Sequence, residues 1–391
     1  MKSLGGGGRP RYRWAVLFAS FFAFVAYAFA FQAAPPLIPS IKAEFNIPLD
    51  AEAALIMSMV LLPGIFLSLP AGFFVKKYGV RRVGFLSLVC VVLGCFVTAT
   101  ANSFIMLLAG RLILGVGGTF IVTNTPAVIV QWFAREELGK AMGIYGINMP
   151  LATIIALPSA SVFMLAYDWR FPFYIGLAVG IAAIAVFVAL VREGQFAGHE
   201  RRARIGQAIG NFEIWKVGLV WLFFNAAALS FTTWAPKLFE TYKGMPKVHV
   251  SFLASLLMWG AILCVPIYSW LSDRAGRRRF FAVAGSLLMT LVFVALAYTS
   301  NMALVISILA LGVTAAMVPP ITSALPAEIL GPTLASIGFG ITGICSNLGV
   351  ASAQPLVGFL LDATESYTFC LLGMAALSAI GALVAYTLKT N

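Results

Sequence analysis

Polar positions in this chain gather in short clusters, and apolar positions fill the long stretches between them. A helix needs about 20 apolar residues to cross the hydrocarbon of a bilayer. Twelve stretches meet that length: 14–36, 52–75, 82–101, 104–131, 138–166, 170–191, 212–236, 250–272, 280–299, 302–327, 333–361 and 366–388. The most polar gap runs from Arg192 to Asn211 and contains Arg201, Arg202 and Arg204. It separates a tail (1–13) and a first bundle of six spans (14–192) from a linker (193–211) and a second bundle of six (212–391). The expected fold class is therefore an all-α membrane protein of twelve transmembrane helices.

Composition agrees with this pattern. Hydrophobic residues make up 61% of the 391 and charged residues 10%. A soluble chain of this length needs far more charge to cover its surface, with about 25% being usual. A soluble enzyme, a disordered chain and a disulfide-rich secreted domain are excluded. The run from Trp14 to Ala34 follows Lys2, Arg9, Arg11 and Arg13. It exceeds the roughly 7–15 residue core of a signal peptide and reads as an uncleaved first helix.

The net charge of +12 would suggest a nucleic-acid partner in a soluble protein. Here the bases lie between apolar runs and act as topology signals. Twenty fall on the side of the N-terminus, five (Lys42, Arg170, Lys237, Lys243, Lys247) on the other, and Arg111 lies within a span. That bias places both termini in the cytoplasm. The five cysteines sit inside apolar runs without a CxxC pair, and His199 and His249 are far apart. No metal, cofactor or nucleic acid is expected, and no hydrolase or phosphate-loop motif is present.

The two halves repeat. Gly72-Phe-Phe-Val-Lys-Lys-Tyr-Gly79-Val-Arg81-Arg82 returns as Ser269-Trp-Leu-Ser-Asp273-Arg-Ala-Gly276-Arg277-Arg278-Arg279. An acidic-glycine start, a small-residue helix and a late proline recur in 135–175 and 327–370. Duplicated six-helix units are the building plan of many transporters. With these loops the chain resembles the major facilitator superfamily of secondary transporters. The second loop matches that family's Gly-x-Leu-x-Asp-Arg-x-Gly-Arg-Arg pattern at Asp273, Arg274, Gly276, Arg277 and Arg278. The first carries Lys76 where the Asp belongs. Leu107, Arg111, Gly115 and Gly117 match the family's fourth-span pattern, whereas Gly143–Pro150 matches its antiporter pattern only in part, which disfavours drug–proton antiport.

The resemblance implies two pseudo-symmetric six-helix bundles that alternate access to a midplane solute. It gives the mid-span polar groups a role, since all lie on spans that would line the central cavity. The expected solute-binding set is Arg111, Tyr27, Gln32, Asn124, Tyr145, Asn148, Asn225, Trp259 and Asn347, with Gln354 and Trp234 on the same spans. For Arg111 two readings stand side by side. It either bonds backbone carbonyls of a broken helix or faces the cavity as a charge that draws anions.

Gating follows from the loops. Asp273 is expected to cap the start of the fifth span near Glu137–Gly139. Lys76 has the wrong sign to cap the eleventh near Pro332–Thr333, so Glu328 is expected to pair with Lys76, Arg81 or Arg82. Glu136 or Glu137 should pair with Arg277 or Arg278. The expected function is alternating-access transport of a small organic or inorganic anion by a monomer in contact with membrane lipids. The other classes are transport of a neutral or cationic solute and a non-transporting receptor of the same fold. No Asp or Glu lies deep in any span, so uniport, exchange or symport of a protonated carboxylate is expected.

Overall fold

The computed structural model describes residues 12–193, 205–331 and 334–389. The described residues form helices and connecting turns only. The first half comprises α1 (Tyr12–Gln32), α2 (Ile38–Glu44), α3 (Asp50–Ala53), α4 (Leu55–Tyr78), α5 (Val80–Ala99), α6 (Phe104–Trp132), α7 (Arg135–Tyr145), α8 (Asn148–Ala166) and α9 (Phe171–Leu190). After α10 (Ile205–Ile209), the second comprises α11 (Phe212–Lys243), α12 (Lys247–Ala275), α13 (Arg278–Tyr298), α14 (Asn301–Ala315), α15 (Pro319–Leu330), α16 (Ala335–Thr364) and α17 (Tyr367–Tyr386).

Among the described residues, eleven helical stretches are long and apolar enough to cross a membrane. Large apolar side chains such as Phe66, Ile105 and Leu383 face outward, as lipid-facing positions do. The expected tenth stretch, 302–327, is broken. α14 stops at Ala315 and α15 restarts at Pro319, so the apolar helix there has only fifteen residues. Pro319 and Pro320 cannot donate to the preceding turn, but they fit the first turn of a new helix. Pro150 acts similarly downstream of the α7–α8 break, and Pro35-Pro36 follows the end of α1. Pro236 by contrast lies inside α11, which continues seven residues past the expected end at 236 to stop at Gly244, φ 65°. A left-handed terminal residue of this kind favours glycine.

Long-range bonds sort the helix ends onto two faces. Tyr12 Oη donates to the Leu190 carbonyl and Trp132 Nε1 to that of Arg192. Lys216 Nζ donates to the Thr387 carbonyl. This is the terminal face, close to both ends of the described chain. On the opposite, distal face Arg170 bonds Glu44 and the Ala101 carbonyl, and Tyr367 Oη donates to the Leu296 carbonyl.

Two large apolar clusters fill most of the interior, one around Phe31, Phe173 and Phe187, the other around Phe231, Trp234, Phe239 and Phe293, and a small third one gathers at Leu17, Ile129 and Phe133. Each large cluster takes in residues from across the seam between halves. Val350 of α16 joins the first cluster, and Ala54 and Leu157 join the second.

Candidate functional site

The seam between the halves is built from two helix pairs and the break after α1. On α16 the positions 347, 351, 354, 358 and 362 follow the i, i+4, i+7 spacing that puts residues on one helix face. That face meets α3 and α4. The Asn347 amide lies against Gly64. Ser58 Oγ donates to the Ala351 carbonyl at 2.7 Å. Gly358 packs against the backbone of Asp50 and Ala51, where a Cβ would come within 2.7 Å of the Ala51 nitrogen. Asp362 accepts from the backbone N–H groups of Asp50 (2.8 Å) and Ala51 (2.9 Å). Gln354 sits in the middle of this stripe. It is fully buried, and neither of its amide atoms has a partner.

The second pair is α8 with α12, joined where the Ser161 and Ser251 hydroxyls lie 2.6 Å apart. Near the α1 break, Gln32 Nε2 donates to Thr153 Oγ1 of α8 at 2.9 Å, and Gln32 Oε1 has no partner. On α11, Ser230, Thr233 and Trp234 share the helix face of Lys237, and their side-chain polar atoms are buried without partners. Lys237 reaches across to Asp50, which also accepts from Lys42 at 2.8 Å. A buried polar atom without a partner costs about 1–3 kcal/mol. The distal seam thus combines charged contacts at its rim with uncharged hydrogen-bonding groups beneath.

The terminal face is arranged differently. Gly72 of α4 and Gly139 and Gly143 of α7 have open space where a Cβ would sit. Ion pairs there stay within one half. Asp273 bonds Arg278, Arg278 also bonds Glu328 at 2.8 Å, and Glu137 bonds Arg13. The Arg81 backbone N–H donates to Glu193. The expected cross-half pairs of Glu328 with Lys76, Arg81 or Arg82, and of Glu137 with Arg277 or Arg278, are therefore absent among the described residues. Asp273 does not cap the fifth span, because its carboxylate is bound within its own half. The Glu136 side chain and Pro332–Thr333 lie outside the described residues. The acids described there are taken within their own halves, while cross-half packing between α4 and α16 runs from the distal end as far as Leu69 and Gly340.

Arg111 has the contacts of the first of its two readings. It is fully buried, with Nε donating to the Ile56 carbonyl (2.9 Å), Nη1 to Ala30 (2.9 Å) and Nη2 to Phe31 (3.2 Å). Ala30 and Phe31 lie in the last turn of α1, whose carbonyls lose their helical partners at the break. The guanidinium fork supplies those partners and rests over the Phe173 ring. Arg111 is sealed within the first half rather than aimed at a cavity. Gly115 and Gly117 explain the rest of the pattern. Gly115 packs on the Val60 backbone, and at Gly117 a Cβ would lie 2.6 Å from the Ser87 carbonyl oxygen. Side chains there would push α4 and α5 away and pull Arg111 off its carbonyls.

The other expected residues divide. Gln32 and Asn347 lie at the seam. Asn124 does not, since its amide faces Gly84 and both its polar atoms are unpaired. Tyr27 packs on Gly118 and stacks with Phe31 at 6.2 Å. Tyr145 Oη meets Thr125 Oγ1 at 2.5 Å, and Asn148 Oδ1 accepts from the Met149 N–H. Asn225 donates back to the Trp221 carbonyl at 2.8 Å, and Trp259 is 42% exposed. Sequence reasoning missed Ser58, Ser161, Ser230, Thr233 and Ser251, because hydroxyls are common in membrane helices and carry no signal until a partner faces them. It also missed the distal charges. Among these, Arg170 is held above its ordinary pKa by the Glu44 carboxylate.

Residues 20–251 and 241–391 match the Major Facilitator Superfamily, nearly the whole chain. The chain belongs to that superfamily. As a superfamily member it is a multi-pass integral membrane protein of a transporter family, not an enzyme. Among curated relatives it is 24% identical over 252 residues to the probable nitrate/nitrite antiporter NarK1 of Thermus thermophilus, covering 61% of this chain and 56% of that one. The inner membrane transport protein RhmT of Escherichia coli (strain K12) is 23% identical over 362 residues, covering 83% and 82%. A putative tartrate transporter of Agrobacterium vitis is 22% identical over 327 residues, covering 76% and 71%. The chain thus spans little more than half the length of the Thermus relative.

Proposed function

We propose that this superfamily member moves a small anion across the membrane by alternating access between bundles 14–192 and 212–391, joined by the linker 193–211. In this reading α14 and α15 together make the tenth of twelve spans, and both termini are cytoplasmic. The observation that carries alternating access is the asymmetry of the seam. Cross-half contacts are closed on the distal face, and the terminal face has none of the expected cross-half ion pairs among the described residues. Such an arrangement is one of the two end states of a rocking pair.

The anion assignment is supported by the relatives, which include a probable nitrate/nitrite antiporter and a putative tartrate transporter. A neutral solute is the second reading, and one observation favours it. The interior positive charge, Arg111, already donates to three carbonyls, and the polar groups beneath the distal rim are uncharged. Acidic residues at the distal ends of the spans (Asp50, Glu240, Asp362) are too peripheral for a midplane proton site, which supports uniport, exchange or transport of a protonated carboxylate.

Uptake into proteoliposomes by the purified protein tests the proposal. Labelled nitrate and tartrate should be taken up and should be displaced by other anions rather than by sugars or cations. Displacement by neutral solutes alone would replace the anion reading with the second one. Absence of uptake for every solute class would favour a receptor of the same fold.

A further inference from the structure

At the distal face four charges of opposite sign meet around one helix start. Lys42 and Asp50 belong to the first half, Lys237 and Asp362 to the second. Asp50 accepts from both lysines. The two Asp362 oxygens are each taken by a backbone N–H, those of Asp50 and Ala51. These N–H groups open α3, which continues through Ala54 into α4. A carboxylate at a helix start satisfies orphan donors and meets the positive end of the helix dipole. Here it does so across the seam, 312 residues away in sequence. All four charged residues line a surface cavity of about 350 Å³, so water reaches them.

The grouping has a property that a simple ion pair lacks. When the halves part, Asp50 keeps Lys42, because both stay in the first half. Lys237 and Asp362 leave together. They sit on α11 and α16, neighbours in one bundle, and both side chains converge on Asp50, so they are within reach of each other. In the closed state they do not pair, because Asp362 is engaged by the N–H groups and Lys237 by Asp50. On opening, each loses its cross-half partner and gains the other. No charge is orphaned in either state, and an orphaned charge is the costly outcome.

We propose that Lys42, Asp50, Lys237 and Asp362 form a partner-exchange latch that holds the distal gate. Closed, it reads Lys42–Asp50–Lys237 with Asp362 on the helix start. Open, it reads Lys42–Asp50 and Lys237–Asp362. The exchange balances the two states while making each of them specific. The proposal rests on the alternating-access reading above.

The test uses Thr233→Cys, one turn beneath Lys237, as a reporter in full-length protein with the half-buried Cys90 and Cys264 replaced by Ala. A membrane-impermeant maleimide is applied to intact cells, and labelling rate reads distal opening. Asp50→Asn should raise labelling several-fold, since it removes the closed-state partner of Lys237. The decisive variant is the double swap Lys237→Asp with Asp362→Lys. It restores the open-state pair with reversed polarity. It also sets a second carboxylate against Asp50 and a cation at the helix start, which opposes closure. Labelling of the double swap should exceed that of either single change, by about threefold or more if each pair contributes about 0.7 kcal/mol. Labelling no higher than the more reactive single variant would overturn the exchange. A monodisperse elution profile and unchanged thermal midpoint show that each variant is folded. Uptake in the same variants separates the two readings. Normal labelling responses without uptake of any solute by the parent protein would remove the transport reading and leave the latch. Uptake with no labelling response would remove the latch alone.

Discussion

Replacing Arg111 by lysine keeps the charge and removes the fork, so it asks whether the residue holds the protein together or holds a solute. Arg111 Nε, Nη1 and Nη2 tie three carbonyls, two in the last turn of α1 and one on α4. Polar contacts inside membrane bundles are worth about 0.6–2 kcal/mol each. Lysine is a point donor on a shorter stem and can keep about one of the three, so the loss is roughly 1–4 kcal/mol. At about 1–2 °C per kcal/mol for a chain of this length, the thermal midpoint in detergent should fall by roughly 1–8 °C. Arg111→Met should fall further, because it leaves all three carbonyls without that donor. Midpoints are read by intrinsic tryptophan fluorescence, and solute affinity is read in parallel on the folded fraction. A wild-type midpoint for Arg111→Lys together with weakened anion affinity would refute the reasoning and return Arg111 to the binding site.

Two further outcomes follow from the same structure. Asn124→Leu removes a buried amide with no partner, so the variant should be as stable as the parent or more stable by about 1–2 kcal/mol; a lower thermal midpoint would reveal a partner for that amide. Ser161→Cys with Ser251→Cys, again with Cys90 and Cys264 replaced, should form a disulfide on mild oxidation, because the hydroxyls lie 2.6 Å apart across the distal seam. Oxidation should stop uptake and reduction should restore it, and continued uptake by the cross-linked protein would show that the seam need not open.

By itself the sequence determined where the helices run. The free energy of placing a segment in lipid is a local sum over about 20 residues, so the stretch read as 104–131 is found as Phe104–Trp132 and 280–299 as Arg278–Tyr298. The pattern Leu107–Arg111–Gly115–Gly117 was legible for the same reason, since its spacing lies along one helix. The doubled basic loops pointed to the family, and the match over nearly the whole chain shows it. What only the tertiary structure decided is which polar side chain meets which. Arg111 could equally have faced a cavity until α1 broke beside it and offered carbonyls. Asn124 and Asn347 look alike as mid-span amides, yet one turns to Gly84 in its own bundle and the other to Gly64 across the seam. Asp362 was only a helix-end acid until α3 brought two bare N–H groups to it from 312 residues away. Partnerships of this kind depend on how the helices of the two halves pack together, a global balance that no local stretch of residues encodes.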